Sequence, residues 1–323
     1  MTPSPPPPQI TVSILSWNTR DLLRRCLLSL YQPEAPAVVA AWKAANRPLR
    51  PEERETADFE VIVVDQQSLD RSAEMVAAEF PQVRLIRQKP NLGFAGGNNV
   101  AWREARGEYF LLLNSDTVVR PGLLARLLEF ARAHPQAGLI GPQVLNPDGS
   151  LQYSCRRFPS LAAGLFRHTP LGALFPGNRF EGDYLMREWD HAEARQVDWL
   201  SGAALLANRA MIEAIGPLDE GFFMYFEDVD WSRRAHGGGW EVWYDPAGCL
   251  LHEIGRSSNK APRRMIVRHH LSSYRYFRKH HPWLRSLPGS ALLGAGLAAR
   301  CALTLARNRW LRIRGKLRAW RKK

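Results

Sequence analysis

Residues 109–119 read Tyr-Phe-Leu-Leu-Leu-Asn-Ser-Asp-Thr-Val-Val, and this stretch decides the fold of the chain. Its first five residues are apolar without polar alternation, which is typical of a strand buried on both faces. The run stops at Asn114, Ser115 and Asp116 before β-branched residues resume. Because open α/β sheets bind ligands at the carboxyl ends of their strands, Asp116 is a candidate metal ligand. The alternative is that Asp116 caps the turn before a helix that begins near Pro121.

Two more stretches of the same kind lie upstream. Residues 10–16 and 59–65 are rich in Ile and Val, and the second stretch ends in Asp65. A shorter strand is predicted at residues 83–86. Segments with apolar residues on one helical face separate the strands, at residues 20–30, 68–80 and up to residue 105. This alternation predicts an α/β fold with a mostly parallel sheet flanked by helices.

The second half of the chain has a different character. Its predicted elements are an apolar segment at residues 199–207, a short helix at 209–215, and strands at 240–244 and 249–252. The apolar segment contains Ser201 and Gly202, and the last strand ends in His252. Between helix and strands, residues 222–231 combine many aromatic side chains with three carboxylates in four positions.

The chain divides into three predicted parts. They are a proline-rich, extended or disordered lead at residues 1–9, a main domain at 10–262, and a basic amphipathic helical tail at 263–323. The lead has neither the positive start nor the apolar core of a signal peptide. Within the main domain, residues 33–58 are interpreted as an inserted loop with one short helix near residues 38–45.

Positive charge is concentrated at the end of the chain. The net charge is +13, yet residues 254–323 hold 19 Lys and Arg with no Asp or Glu. The preceding residues carry 25 Lys and Arg against 31 Asp and Glu, so they are mildly acidic. A basic segment of this kind needs an anionic partner, either a membrane surface or nucleic acid.

Residues 287–306 are apolar over about one membrane width. Arg300, Pro288 and several glycines interrupt the run, which favours a helix lying in the membrane interface over a spanning helix. The basic residues that follow would contact anionic headgroups. A solvated basic tail and nucleic-acid binding are the alternatives, and the absence of a recognition motif disfavours nucleic acid. Four dispersed cysteines suit a reducing compartment, so we expect a peripheral protein at the cytoplasmic face of the cell membrane.

Taken together, these motifs resemble the inverting glycosyltransferases of family 2, and most closely their rhamnosyltransferase-like branch. The resemblance extends from about residue 11 to about residue 277. Its landmarks are residues 12–18, 61–70, 91–99, 114–116, 201–203 and, most specifically, Phe-Met-Tyr-Phe-Glu-Asp-Val-Asp at 223–230. The sequence departs from the family pattern at Trp17, Gln66, Asn114 and Arg256, which bears on the donor more than on the chemistry. The resemblance implies a GT-A (Rossmann-like) fold.

The resemblance also implies a metal site. A hard cation that bridges the diphosphate of a nucleotide sugar lowers the barrier to its departure. Mg²⁺ or Mn²⁺ can be held by one carboxylate plus substrate phosphates, so Asp116 is the first predicted ligand. His252 is a second ligand or a donor to phosphate, and an imidazole ligand favours Mn²⁺. The alternative for His252 is a core histidine bonded to a carbonyl group.

In the resembling family, the Asp that follows Glu is the general base, which here is Asp228. A base on the far side of the sugar from the leaving group accepts the proton of the acceptor hydroxyl. Glu227, Ser201 and Gly202 are placed on the acceptor side. The alternative is that Glu227, Asp228 and Asp230 are only an acidic cluster at a helix start, where the helix dipole favours negative charge.

Donor binding is assigned to residues that follow the strands and to a glycine-rich segment. The segment is interpreted as a loop whose glycines let the backbone approach phosphate or sugar. The predicted donor-binding residues are Trp17, Asn18, Asp65, Asn91, Gly93, Gly97, Asn98, Asn114 and Ser115.

The expected function is therefore metal-dependent inverting transfer of one sugar, with rhamnose favoured, from a dTDP- or UDP-linked donor. The expected acceptor is a saccharide or polyprenyl-linked saccharide in cell-envelope polysaccharide synthesis. The chain lacks the Gln-x-x-Arg-Trp motif expected of processive synthases. The alternative function is an inactive transferase scaffold that acts as a basic membrane- or nucleic-acid-binding adaptor.

Overall fold

The computed structural model describes residues 6–50, 52–161, 174–175, 179–253 and 262–320. Parts of three sequence predictions lie outside these residues. They are the beginning of the proline-rich lead at residues 1–5, Arg256, and the end of the basic tail at 321–323.

Strands and helices alternate through the first half. They are β1 Ile10–Ser16, α1 Arg20–Tyr31, α2 Pro36–Ala44, β2 Phe59–Asp65, α3 Ser72–Glu79, β3 Arg84–Arg87, α4 Gly93–Glu104, β4 Tyr109–Asn114, β5 Thr117–Val119, α5 Leu123–Ala133 and β6 Ala137–Leu145.

The second half has short strands and a helical end. Its elements are β7 Cys155–Arg156, α6 Arg179–Leu185, β8 Arg195–Gln196, β9 Trp199–Leu200, β10 Ala204–Asn208, α7 Arg209–Ile215, α8 Glu227–Gly237, β11 Glu241–His252, α9 Pro262–His280, a 3₁₀ turn at Pro282–Arg285, and α10 Leu287–Trp320.

Nine of the described strands form one twisted sheet. Eight follow the order β3-β2-β1-β4-β10-β6-β11-β5, and β8 pairs with β11 at the side. The first four strands are mutually parallel, as are β6 and β11, whereas β10 runs antiparallel between β4 and β6. The buried apolar runs lie in the middle of this sheet, with core residues on both faces. The predicted α/β fold is thus observed.

Two local predictions are wrong. The glycine-rich segment is not a loop, because α4 begins at Gly93 and includes the later glycines. The two strands predicted at residues 240–244 and 249–252 are one strand, β11, whose register shifts between Asp245 and Cys249. The irregularity accommodates the polar and small residues that made the sequence look interrupted.

The insertion at residues 33–58 covers one end of the sheet. Its helix α2 buries Val38 and Trp42 against Leu251 and its strand neighbours. Arg120 places its guanidinium group 5.0 Å from the Trp42 ring centroid. The insertion is therefore part of the core that packs against the carboxyl end of β11.

A buried carboxylate joins α8 to α9. Asp230 is fully buried and accepts hydrogen bonds from Arg234 at 2.9 Å and from His280 at 2.7 Å. Lys279 Nζ lies 2.8 Å from its Oδ1 atom. Burial opposes ionisation, yet these three donors lower the pKa of Asp230 from its usual 3.8 to about 2. The clamp fixes the beginning of α8 against the helical end of the chain.

Asp230→Asn should therefore lower the free energy of unfolding by about 3 kcal/mol, because it removes the buried carboxylate with which Arg234, Lys279 and His280 pair. The folded-state pKa is depressed, so the carboxylate contributes fully above pH 3.8 and loses this contribution as the pH falls toward 2. Urea denaturation at several pH values measures the difference. The control Glu129→Gln breaks an exposed pair with Arg126 and should cost less than about 0.5 kcal/mol. Equal losses in the two variants would contradict the clamp.

Candidate active site

The carboxyl ends of β1 and β2 are joined by hydrogen bonds between their following turns. Asn18 has a positive φ of 57° and its Oδ1 accepts from the Leu69 backbone N–H at 2.7 Å. Asp65 Oδ2 accepts from the Ser68 N–H at 3.1 Å, whereas its Oδ1 is buried without a partner among the described residues. Trp17 follows β1 and is half-buried. An unpaired buried carboxylate oxygen at this edge is available to a ligand that donates hydrogen bonds.

Helix α4 packs its first turns tightly against this edge. Gly93 has a φ of 77°, and a Cβ there would overlap the carbonyl group of Phe223. That carbonyl accepts a hydrogen bond from the Phe94 N–H at 2.7 Å. Asn91 Oδ1 accepts from the Gly93 N–H at 2.8 Å and so caps the turn. Gly93 is therefore required by a close backbone approach within the protein.

Asn98 and Gly97 face the sheet. Asn98 Oδ1 accepts from the Ser13 hydroxyl at 2.7 Å, and its Nδ2 donates to the Phe94 carbonyl at 3.0 Å. A Cβ on Gly97 would lie 3.0 Å from the Gln66 side chain. These contacts explain both residues by packing, and their role in donor binding stays a prediction.

Asp116 and His252 lie side by side, although they are 136 positions apart in the sequence. Asp116 is buried, and its Oδ1 is 3.2 Å from His252 Nε2. The pairing of β5 with β11 places Thr117 opposite His252, and this register brings the two side chains together. Asn114 Nδ2 lies 3.4 Å from the same Nε2 atom, and the Ser115 hydroxyl donates to Thr19 at 3.1 Å.

Gln152 fixes the orientation of the His252 ring. The Gln152 amide nitrogen donates to Asn146 Oδ1 at 3.0 Å and to the His252 carbonyl at 3.3 Å. Its Oε1 therefore faces His252 Nδ1, which donates to it at 2.7 Å. With the Nδ1 proton donated to Gln152, Nε2 is the ring nitrogen that faces Asp116.

The arrangement fits a small divalent cation. An imidazole lone pair and a carboxylate oxygen repel each other at this distance unless a proton or a metal ion lies between them. Adjacent ligands of an octahedral ion at the Mg²⁺–oxygen distance are separated by about 3 Å, close to the separation in the structure. Two protein ligands leave positions for water and phosphate oxygens. In the part of the chain that the structure describes, no group of three or more His, Cys, Asp or Glu side chains forms a closed metal cage.

Asp228 lies at the same edge of the sheet. The Asn114 N–H donates to the Ala203 carbonyl at 2.9 Å, and the Gly202 N–H donates to Asp228 Oδ2 at 3.1 Å. Two successive hydrogen bonds thus connect the end of β4 to the first turn of α8. The structure brings together the predicted base, Gly202 and the strand end that bears Asp116.

Strained backbone sets the direction of Asp228. Tyr225 and Phe226 have φ values of 69° and 70°, a left-handed conformation that costs energy for residues with side chains. The Ser272 hydroxyl on α9 donates to the Met224 carbonyl at 2.9 Å and holds this turn. The contact with α9 thereby stabilises the strained turn.

The environment shifts the pKa values of the two adjacent carboxyl groups to different extents. Burial raises the pKa of Glu227 well above its usual range, and the neighbouring Asp228 charge raises it further. Burial also raises the pKa of Asp228, but the Gly202 and Val229 N–H groups and the Arg156 charge oppose that effect. Glu227 Oε2 has no hydrogen-bond partner among the described residues. The pair is thus arranged as a neutral acid beside a hydrogen-bonded carboxylate.

A cavity of about 340 Å³ opens beside Asp228. Aromatic side chains form much of its wall, together with the predicted acceptor-side residues Ser201 and Glu227. The lining residues are Arg156, Pro159, Ser160, Tyr184, Trp199, Ser201, Tyr225, Phe226, Glu227, Asp228, Val229, His269, Ser273, Phe277 and Arg300. A sugar ring fits a space of this size and aromatic character.

Three residues of the site were not predicted as site residues. Gln152 and Arg156 belong to no motif and lie far in sequence from their partners. Arg300 was noticed only as an interruption of an apolar run. The periodicity of α10 could have indicated that Arg300 lies on the same helical face as Leu293 and Leu297.

Comparison with known proteins finds relatives over most of the chain. The family model described as glycosyl transferase family 2 matches residues 11–181. An N-acetylglucosaminyl-diphospho-decaprenol L-rhamnosyltransferase of Mycobacterium tuberculosis is 32% identical over 273 residues, covering 78% of this chain and 87% of the relative. The rhamnosyltransferase WbbL of Escherichia coli is 26% identical over 57% of this chain and 69% of its own length.

A solved structure resembles the whole chain. The mannosyltransferase PcManGT of Pyrobaculum calidifontis, in complex with GDP-Man and Mn²⁺, has a TM-score of 0.50 and 19% sequence identity. The match covers 97% of this chain and 83% of that one. This similarity concerns the fold, and it confirms the predicted GT-A class.

Glu227→Gln should flatten the dependence of thermal stability on pH. A carboxyl group whose pKa is raised by folding favours the folded state below pH 4.5 and costs stability as the pH rises through its folded-state pKa. The amide cannot ionise, so the melting temperature of the variant should fall less than that of the wild type between pH about 5 and about 8. Differential scanning fluorimetry measures this, with the exposed Glu74→Gln as control. Parallel curves for all three proteins would contradict a neutral Glu227.

Proposed function

The chain belongs to glycosyl transferase family 2, and on this basis we propose that it is an inverting, rhamnosyltransferase-like enzyme of cell-envelope polysaccharide synthesis. That it is a glycosyltransferase follows from the family. The proposed donor is a dTDP- or UDP-linked sugar, with rhamnose favoured. The proposed acceptor is a lipid-linked saccharide, in keeping with the printed name of the mycobacterial relative. The observation that carries the proposal is Asp228, held by two backbone N–H groups at the wall of the cavity.

Asp228 acts as the general base. Its hydrogen bonds from Gly202 and Val229 fix the carboxylate and favour its ionised form. An acceptor hydroxyl in the cavity donates its proton to this carboxylate while its oxygen bonds to the anomeric carbon. The glycosidic bond to the donor diphosphate breaks on the opposite face of the sugar, so the configuration inverts. The raised pKa of Glu227 favours its neutral form, which spares the reacting hydroxyl a second negative charge.

Asp116 and His252 would hold Mg²⁺ or Mn²⁺ beside the leaving group. When bound there, such an ion neutralises charge that develops on the diphosphate. The protein contributes the orientation of both ligands, since Gln152 fixes the imidazole ring and β5–β11 pairing fixes the carboxylate. The Asn114 amide lies against His252 Nε2. Asp116 is thus the one carboxylate of the 114–116 motif.

The nucleoside part of the donor is proposed to bind beyond this point, at the ends of β1 and β2. Asp65 Oδ1 is the unpaired acceptor there, suited to a ribose hydroxyl or the N–H of a pyrimidine. Trp17 and Asn18 follow β1 beside it. This places nucleoside, diphosphate and acceptor in one line along the carboxyl edge of the sheet.

The protein is proposed to attach to the membrane through α10. Every exposed residue between 287 and 306 is apolar, including Leu287, Leu292 and Leu303. The described residues contain one helical segment, Leu287–Leu311, that is long and apolar enough to cross a membrane by length and composition. The basic residues from Arg307 onward suit anionic headgroups. An apolar face of this extent favours lipid over water.

Asp228→Asn tests the reaction. Transfer should fall about 10³-fold, the middle of the range for loss of a general base, while the donor dissociation constant stays within about threefold. The assay measures nucleotide release and glycolipid product with dTDP-rhamnose and UDP-sugars, and Glu213→Gln is the exposed control. Full turnover in Asp228→Asn would show that the base is misassigned. Lack of any transfer or hydrolysis by the wild type would favour the inactive adaptor.

Asp116→Asn should weaken Mn²⁺ binding in the presence of UDP at least tenfold, because it removes the charged ligand. Gln152→Ala should weaken it by about tenfold, the lower range for partners that orient a ligating histidine. Free Mn²⁺ measured by electron paramagnetic resonance gives both constants, and the exposed Asp21→Asn is the control. Unchanged Mn²⁺ affinity in Asp116→Asn would place the metal elsewhere.

Leu292→Glu combined with Leu303→Glu should weaken binding to vesicles of anionic phospholipid at least tenfold, since two charges replace exposed apolar contacts. Cosedimentation with the vesicles measures the bound fraction. Val39→Glu, an exposed position on α2, is the matched control. Equal retention of both variants on the vesicles would assign attachment to another surface.

A further inference from the structure

We infer that Arg156 and Arg300, both in the wall of the cavity, bind the diphosphate of the lipid-linked acceptor. The enzyme would therefore select diphosphate-linked over neutral saccharides. The inference rests on the proposed function and adds the acceptor's charged group and the residues that recognise it. Both guanidinium groups line the cavity that contains Asp228. A planar guanidinium can donate two parallel hydrogen bonds to a phosphate group.

The polar groups in the cavity wall suit an anion. Burial raises the pKa of Glu227, and Asp228 already accepts two backbone hydrogen bonds. Arg156 and Arg300 bring two guanidinium groups to the wall of the same cavity. A diphosphate can accept hydrogen bonds from such groups and carries the opposite charge, whereas a neutral sugar does not.

The Arg156 guanidinium group is held in place and has a hydrogen-bond donor for such a ligand. Its guanidinium group lies 5.0 Å from the Trp199 ring centroid and 5.8 Å from that of Tyr184. One Nη donates to the Tyr153 carbonyl at 3.1 Å, while Nε is buried without a partner among the described residues. Stacking fixes the plane of the group and leaves a buried donor to be satisfied.

Arg300 connects the cavity with the lipid. It is half-buried on the inward face of α10, which also bears Leu293 and Leu297, and it is the one charged residue between Arg285 and Arg307. The opposite face of the same helix is the exposed apolar surface proposed to enter the membrane. A diphosphate held by Arg300 would thus be attached to a lipid that continues along α10 into the bilayer.

The donor's own diphosphate is assigned to a different place. Asp116 and His252 do not line the cavity, and they lie at the end of β4 and β11. The two sites would therefore bind the two diphosphates on opposite sides of the transferred sugar. This separation allows the two roles to be distinguished by kinetics.

The test compares two acceptors that carry the same sugar and the same alkyl chain. One is an alkyl N-acetylglucosaminide, and the other is N-acetylglucosamine joined to that chain through a diphosphate. The readout in detergent is the ratio of kcat/KM for the diphosphate acceptor to kcat/KM for the neutral one. Arg300→Gln should lower this ratio at least tenfold, and Arg300→Lys should restore part of it. The control Arg264→Gln, exposed on α9, should keep the wild-type ratio.

Donor KM and nucleotide release without acceptor are measured for each variant, together with its melting temperature. If Arg300→Gln lowers both acceptor activities equally, the inference is wrong while the proposed function stands. A rise in donor KM with an unchanged acceptor ratio would assign Arg300 to the donor and overturn the inference. Failure of the wild type to transfer sugar to either acceptor would overturn the inference and the proposed function together.

Discussion

The hydrogen bond from the Gly202 N–H to Asp228 is the contact on which the active site depends. It exists because β10 runs antiparallel to β4, so that the chain entering β10 passes the carboxyl edge of β4. A parallel strand in that position would present its other end there. One reversed strand thus brings the acidic start of α8 to the edge where Asp116 and His252 meet. In the proposed mechanism, nucleophile activation and leaving-group stabilisation occur at this one edge of the sheet.

The central fold could be predicted because its strands are buried on both faces. Residues 59–65 contain a run of Val and Ile, residues 10–16 are rich in Ile, Val and Leu, and the observed strands have these bounds. Strand ends are equally readable, since polar residues at Asp65 and Asn114 mark where the apolar run stops. The α/β class followed from these local signals, and the family followed from the resemblance of the motifs and their order; both predictions are confirmed.

Features that depend on distant contacts could not be predicted. The helical start of α4 at Gly93 is held by the Phe223 carbonyl, which is 130 positions away. The orientation of His252 depends on Gln152, and the charge of the cavity depends on Arg156 and Arg300. Gln152 and Arg156 belong to no periodic pattern, so only the assembled structure identifies them. The direction of β10 is likewise a property of the sheet, because an apolar run reads the same in both directions.

The Asp230 clamp has a geometric consequence for a protein anchored by α10. Arg234, Lys279 and His280 tie α8 to α9, and α9 continues through one 3₁₀ turn into α10. With α10 on a membrane as proposed, Asp228 would therefore lie at a fixed height above the lipid headgroups. Such an enzyme would reach hydroxyl groups close to the bilayer surface and not those at the far end of a long chain. Its natural place would be the first additions to a growing glycan, before the chain extends beyond reach.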